Sequence, residues 1–250
     1  KGLSERYGSL MQTIAGLHYN FSFSDKFFNI LLSLEENKNE KELKNEVYLH
    51  IARNFKRFGW LYFFLYGASP AVCDSFVEKG KHDLESLPGG GLYKPNSTSL
   101  RMGDLGYISK AQDDLNISYN TLEDYCLDLE NALTTPYKAY QDIGEFVDDK
   151  RVQLNTSVIQ IENEYYSTIR PKRVCPTGER PVNVLRTEGI EYLELRCVDL
   201  DPFSPVGVRR DQLDFMDTLL MYCLLKESPP IGRDEAETIK NNHEKVINNG

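Results

Sequence analysis

The stretch Gly189-Ile-Glu-Tyr-Leu-Glu-Leu-Arg-Cys-Val-Asp-Leu-Asp-Pro-Phe-Ser-Pro205 decides how the chain is read. Inside it a strand-like run alternates, with Leu193, Leu195 and Cys197 on one side and Tyr192, Glu194 and Arg196 on the other, because residues two apart in an extended strand share a face. The first set reads as core. The second holds a carboxylate and a guanidinium side by side, roughly 7 Å apart at about 3.3 Å per residue. A carboxylate that can hold a hard divalent cation, next to an arginine that can fork onto phosphate oxygens, is what phosphoryl chemistry needs. By spacing alone, an ordinary cross-strand ion pair accounts for the same residues.

Two further segments predict strands with one polar face. Met11 to Phe23 alternates, with Leu17, Tyr19, Phe21 and Phe23 opposite Gln12, Gly16, His18, Asn20 and Ser22. From Arg151 to Tyr166 the pattern puts Gln160, Glu162, Glu164 and Tyr166 on one side, which suggests a lined cavity. If the three strands share one sheet, their polar faces line a single concave site. Between them the spacing predicts helices: Ser24 capping one through Leu34, a longer one through Leu43, Val47, Ile51, Phe55 and Phe58, and others near 120–132 and 212–226, with Asp234 capping a last polar helix. Residues 78–101, with Pro88-Gly-Gly-Gly91, read as a long surface loop or flexible lid, and Ile169-Arg-Pro-Lys-Arg173 leads into a turn region. Polarity that alternates along separated strands favours an α+β fold with an antiparallel sheet over a doubly wound parallel one.

At 250 residues and 40% hydrophobic content the chain can bury a sizeable core. Its formal charge of -9 argues against a nucleic-acid backbone as partner. Cys73, Cys126, Cys175, Cys197 and Cys223 are odd in number and form no CxxC pair, so they read as reduced cytosolic thiols. The apolar run Trp60–Tyr66 is too short to span a bilayer and reads as a buried helix end. The chain opens at Lys1 without a methionine or a signal peptide, as an internal piece of a longer protein would.

Six blocks, Arg6–Phe21, Tyr66-Gly-Ala-Ser-Pro-Ala71, Ser99-Leu-Arg-Met-Gly-Asp-Leu-Gly-Tyr107, Gln160-Ile-Glu-Asn-Glu164, Ile169-Arg-Pro-Lys-Arg173 and Gly189–Val206, closely resemble the bacterial glutamate–cysteine ligases, in the same order and across essentially the whole chain. The resemblance implies a glutamine-synthetase-like carboxylate–amine ligase fold, with a curved antiparallel sheet holding substrates on its concave face. It also implies the first step of glutathione synthesis in the cytoplasm: ATP phosphorylates the side-chain carboxylate of glutamate, and the amine of cysteine displaces the phosphate. Residues 1–250 would form a single catalytic-core region, without the N-terminal strand whose paired glutamates hold further magnesium and without the C-terminal part. Its partners would be glutamate, cysteine, ATP and the remainder of its own full-length chain, with no nucleic acid and no membrane.

Carried over residue by residue, the resemblance makes Glu194 and His18 ligands of magnesium, with manganese as the alternative ion. A histidine is an uncommon partner for so hard a cation. It makes Arg196 the group that stabilises the transferring phosphoryl, and Arg101 a partner of substrate carboxylate or phosphate, tasks that suit a permanently charged bidentate fork. Gln12, Tyr107 and Tyr166 would contact the amino-acid substrates, the tyrosines chiefly the cysteine, and Asn163 and Lys172 the nucleotide. Two other readings share these residues: a ligase joining glutamate to another amine, and a binding module that retains amino-acid or nucleotide affinity without turnover.

Overall fold

In the computed structural model, which describes residues 2–11, 13–35, 37–77, 82–103, 105, 110–113 and 115–250, the alternation around Glu194 decides the central layer of an α+β fold. The elements in chain order are α1 (Gly2–Met11), β1 (Leu17–Phe21), α2 (Asp25–Leu32), α3 (Glu40–Phe58), α4 (Trp60–Tyr66), β2 (Ala71–Cys73), β3 (Glu85–Leu87), β4 (Gly91–Tyr93), α5 (Leu122–Thr134), α6 (Lys138–Ile143), β5 (Phe146–Val147), β6 (Lys150–Arg151), β7 (Ile169–Lys172), α7 (Pro181–Glu188), β8 (Tyr192–Val198), α8 (Arg210–Leu225) and α9 (Arg233–Asn249). The main sheet has the order β1-β8-β7, both pairings antiparallel. Leu193, Leu195 and Ile169 are fully buried on its core face. At about 1.5–3 kcal/mol each, such side chains are what hold a strand to its covering helix.

That helix is α3, which packs on β7 and β8 and carries α2 and α8 against its flanks. It starts at a capping box, Asn39 accepting from the Glu42 amide while the Glu42 carboxylate accepts from the Asn39 amide. Leu43, Ile51 and Phe55 then recur on its buried side. The polar residues of α3 are equally employed. Lys41 donates to the carbonyls of Arg186 and Thr187 at the end of α7, and Asn45 accepts from the Ile190 amide as the chain turns into β8. Gly189 at that turn has φ +82, and a Cβ there would come within 2.7 Å of the Asn45 side chain and 2.8 Å of Lys41, so no other residue fits.

Several sequence expectations need correction. The strand predicted over Met11–Phe23 is confined to Leu17–Phe21, because α1 runs up to Met11. Within residues 151–166 only Arg151, the second residue of β6, is in a strand. Glu162–Glu164 is instead a turn of 3₁₀ helix, in which the Glu164 carboxylate takes the Gln160 amide and side chain and also faces Arg6 at 3.5 Å. The third strand is Ile169–Lys172, read from sequence as the approach to a turn. The stretch 78–101, expected as a loop, contributes β3 and β4 to a small sheet, β2-β4-β3, over its own core of Leu84, Leu92 and Leu100; Gly89 and Gly90 form its hairpin tip, and residues 78–81 lie outside the described set. Gly232, not Asp234, is the N-cap of α9, and Ser24 occupies its expected cap position without a side-chain hydrogen bond.

α4 follows α3 directly at Gly59 and buries Tyr62 and Phe63, while Phe64 and Leu65 remain about half exposed. Among the described residues no helix is long and apolar enough to cross a membrane, and all five cysteines are free. α9 docks on α4, and its terminal Ile247 carbonyl accepts from Ser97 and Thr98.

In α9 the His243 ring packs edge-on against Phe63, with Nε2 sealed from solvent and without a hydrogen-bond partner among the described residues. Burial, and secondarily the Lys56 charge, depress its pKa to about 3. As pH falls below about 6.5 the unfolded chain takes up this proton and the folded chain does not, so stability present at neutral pH is lost between roughly 6.5 and 3, by up to about 5 kcal/mol. His243→Phe should remove that component. Urea melts at pH 7.5 and 5 should show a smaller pH-dependent difference in the variant than in the parent, and equal differences would contradict the assignment.

Candidate active site

The face of the main sheet opposite α3 carries the charges. β8 supplies Tyr192, Glu194 and Arg196, all half-buried, while the residues between them point to the core. Register then places Arg170 and Asn20 on either side of Glu194, and Lys172 beside Tyr192. His18, two residues before Asn20, belongs to the same face. Between the pairs Leu17↔Val198 and Tyr19↔Leu195, β8 uses one residue more than β1, so Arg196 and Cys197 together stand opposite His18. Such a bulge re-aims side chains and increases local twist.

Around Glu194 the geometry is tight. Its Oε1 lies 3.3 Å from His18 Nδ1 and its Oε2 3.9 Å from Lys172 Nζ, with the carboxylate side chain only 13% exposed and that of His18 51% exposed. Arg170 is buried beneath this face, where Nη2 donates to the Glu162 carbonyl at 2.9 Å and the guanidinium lies 5.7 Å from the Tyr165 ring centroid. Burial first, then the neighbouring Arg170 and Arg196, hold the Lys172 ammonium below its ordinary pKa, against the attraction of Glu194. The His18 imidazole is likewise held down, by burial and by Arg196, Lys172 and Arg101, with only Glu194 pulling the other way. A depressed histidine is neutral at pH 7 and keeps a lone pair for a Lewis acid. Burial and the charges of Glu194 and Glu191 raise Tyr192.

Arg196 stands 5.5 Å over the Tyr166 ring, and its Nη1 reaches the Tyr165 carbonyl at 3.5 Å. The Tyr166 hydroxyl contacts Met102 Sδ at 2.9 Å, and its amide donates to the Gln112 side chain. Beyond Arg196, Arg101 comes in from the 3₁₀ turn Leu100–Met102, donates through Nε to Asp199 at 2.6 Å and through Nη1 to the Arg196 carbonyl at 3.3 Å.

The structure thus brings Glu194, His18, Lys172, Arg196, Tyr166 and Arg101 to one end-to-end surface. Asn163, on the 3₁₀ turn, is exposed. Gln12 and Tyr107 lie outside the described residues. Two residues of the same neighbourhood were not singled out from the sequence, Arg170 and Asp199, and Asn20 was placed on the polar face with His18 but given no role. Arg170 alternates with Lys172, so strand periodicity could have added it once that segment was paired with β8. Nothing local marks Asp199, whose partners lie about 100 and 130 residues away.

Among the described residues no three His, Cys, Asp or Glu side chains gather as a metal-binding group. Glu194 and His18 can offer two donors to one side of a divalent cation. An octahedral ion such as magnesium takes six, with phosphate oxygens and water commonly among them.

The profile of the glutamate–cysteine ligase family matches residues 1–246. The glutamate–cysteine ligase of Alcanivorax borkumensis is 46% identical over 256 residues, spanning all of this chain and 49% of its own, and that of Azotobacter vinelandii is 45% identical over all of this chain and 48% of its own. The crystal structure of the Francisella tularensis glutamate–cysteine ligase in complex with AMP superposes with a TM-score of 0.90 at 39% identity, over 100% of this chain and 49% of that one. A bifunctional glutathione synthetase from Pasteurella multocida, 24% identical over 98% of this chain and 27% of its own, has the same fold with a TM-score of 0.71. The chain spans about half the length of the curated relatives it matches. With its polar sheet face on view and nearly its whole length matched, the chain belongs to the glutamate–cysteine ligase family.

Proposed function

We propose that this chain carries the core of an ATP-dependent, cytoplasmic ligase that joins the γ-carboxylate of glutamate to the amine of cysteine through γ-glutamyl phosphate, the first step of glutathione synthesis. The observation that carries the reading is the half-buried Glu194 set among Lys172, Arg170, Arg196 and a depressed His18. Triphosphate is a dense anion, and a face of fixed cations interrupted by one carboxylate suits an anion that arrives with a divalent metal. A family relative solved with AMP supports the nucleotide.

In this reading Glu194 and His18 would contribute two of the donors around magnesium, or manganese in its place. A divalent cation there would neutralise charge on the phosphate oxygens. Lys172, with Asn163 nearby in sequence to Arg170, contacts the nucleotide. Arg196, fixed by the Tyr166 ring and the Tyr165 carbonyl, lies beside the carboxylate and stabilises the phosphoryl group as it passes from ADP oxygen to the glutamate carboxylate. Arg101 pairs with the substrate's own carboxylate at the far end. Tyr166, with Gln12 and Tyr107, lines the amino-acid end, and the cysteine amine then attacks the acyl phosphate and expels inorganic phosphate. The attacking nitrogen and the thiol belong to the substrate. The buried Cys197 and Cys223 thiols, both pushed up to about 12 by burial, stay out of the chemistry.

A second reading, nucleotide binding without turnover, draws on the two-donor metal site among the described residues. ADP release by the natural gene product with magnesium, ATP, glutamate and cysteine separates the two: cysteine-dependent release supports the ligase, and nucleotide binding without release supports the binding module. Arg196→Ala should lower turnover by about 10³-fold or more with an unchanged melting curve. Arg196→Lys should also be poor, since lysine lacks the fork. Near-normal turnover in Arg196→Ala would remove its assigned role.

Glu194→Gln provides a test that needs no turnover. Without its carboxylate the face keeps only its cations, so metal-free tripolyphosphate in EDTA should bind several-fold tighter, on the order of 1 kcal/mol, while the gain on adding magnesium should shrink. Weaker metal-free binding in the variant would count against the charge arrangement described here.

A further inference from the structure

We infer that Asp199 is the positioning residue for Arg101, and that Gly16 is kept free of a side chain to leave room for the same guanidinium. The inference rests on the proposed role of Arg101 as a ligand of the substrate carboxylate.

Asp199 directly follows β8 and is 2% exposed. Its two oxygens have separate duties. Oδ1 accepts from Arg101 Nε at 2.6 Å, while Oδ2 accepts from the Ala68 amide at 3.0 Å and from Ser69 Oγ at 2.9 Å. Ser69 Oγ in turn shares a hydrogen bond with Ser99 Oγ at 3.0 Å, and the Leu100 amide donates to the Ser69 carbonyl at 2.7 Å. One carboxylate thus ties the chain after α4, the turn that carries Arg101 and the end of the strand that carries Glu194 and Arg196. Arg101 adds the last link through Nη1 to the Arg196 carbonyl.

On its other side Arg101 meets Gly16, at the entry to the strand that carries His18. A Cβ on Gly16 would stand 2.6 Å from Arg101 Nη1 and 2.7 Å from its Cζ, and 3.0 Å from the Val198 carbonyl oxygen. Gly16 does not require a positive φ, so alanine suits its backbone. The group that must yield is the guanidinium. Arg101 is therefore held from one side by charge and from the other by shape. A guanidinium so fixed has little rotamer entropy left to lose when it meets a planar carboxylate.

Two substitutions push Arg101 from opposite sides. In Asp199→Asn, the amide oxygen can keep the Ala68 and Ser69 donors only by turning its NH₂ toward Arg101 Nε, donor against donor. In Gly16→Ala the added methyl displaces Nη1. Steady-state kinetics on the natural gene product should show the same signature in both: glutamate KM raised by about tenfold or more, ATP KM within about twofold. Arg101→Lys, measured alongside, should also raise glutamate KM. A purely structural role would lower the melting temperature and the active fraction, reducing kcat with both KM values unchanged, and that result overturns the inference. An unchanged glutamate KM in Asp199→Asn and Gly16→Ala, with a raised one in Arg101→Lys, overturns it too while sparing the role of Arg101. A normal glutamate KM in Arg101→Lys overturns both. Should Asp199→Asn fail to fold, Gly16→Ala decides.

Discussion

Everything in this fold is arranged around a strand paired on both sides. β8 is the middle strand of three, and its residues must point alternately into the helices and away from them. Its core residues are fully buried, whereas Tyr192, Glu194 and Arg196 on its other side are half-buried. The charged side chains stand at fixed heights because the apolar ones are anchored beneath them. Neither set can move without the other, and the position of the polar face is inherited from the packing of Leu193 and Leu195.

α3 transmits that order outward. It covers the sheet with apolar residues and, with its polar ones, collects backbone groups left over where other elements end. Asn54 donates to the carbonyls of Cys223 and Lys226 at the end of α8, Arg53 to those of Tyr119, Asn120 and Ser228, and Arg57 pairs with Glu235 in the first turn of α9. The Cys223 and Lys226 carbonyls stand at the C-terminal end of α8 with no partner further along their own helix, and hydrogen bonding from the buried Asn54 side chain avoids the penalty of leaving them dry. One long helix thereby fastens the end of α8, the approach to α5 and the first turn of α9.

Periodicity carried the sequence reading where a residue's environment is decided by its near neighbours. The faces of β1 and β8 and the registers of α3 and α5 follow from spacings of two or of three and four, and they recur in the structure. The reading failed where a polar side chain bonds its own neighbourhood. Gln160 and Glu164 alternate as they would on a strand, yet each satisfies the other across a turn, and Arg6 reaches in from α1 to complete the cluster. β7 was missed for the opposite reason: its four residues contain a proline, and only pairing with β8 at Leu193 makes Pro171 part of a ladder. At the candidate site the residues that touch along one face were legible, whereas Asp199 acts through segments far away in sequence and left no local mark.

The bulge opposite His18 leaves the strand no slack. In a regular ladder the alternation could slide by two residues and still offer a carboxylate or an arginine to the same side. Here Arg196 and Cys197 share one partner, so the frame on either side of them is counted differently. Deleting Arg196 would leave Cys197 alone opposite His18 and straighten the ladder, with Val198 still opposite Leu17. A thiol would then occupy the place of the guanidinium, next to a site proposed to handle a thiol substrate. The bulge is therefore a counted feature of the strand: losing its extra residue would exchange a guanidinium for a thiol while leaving the pairs on either side of it unchanged.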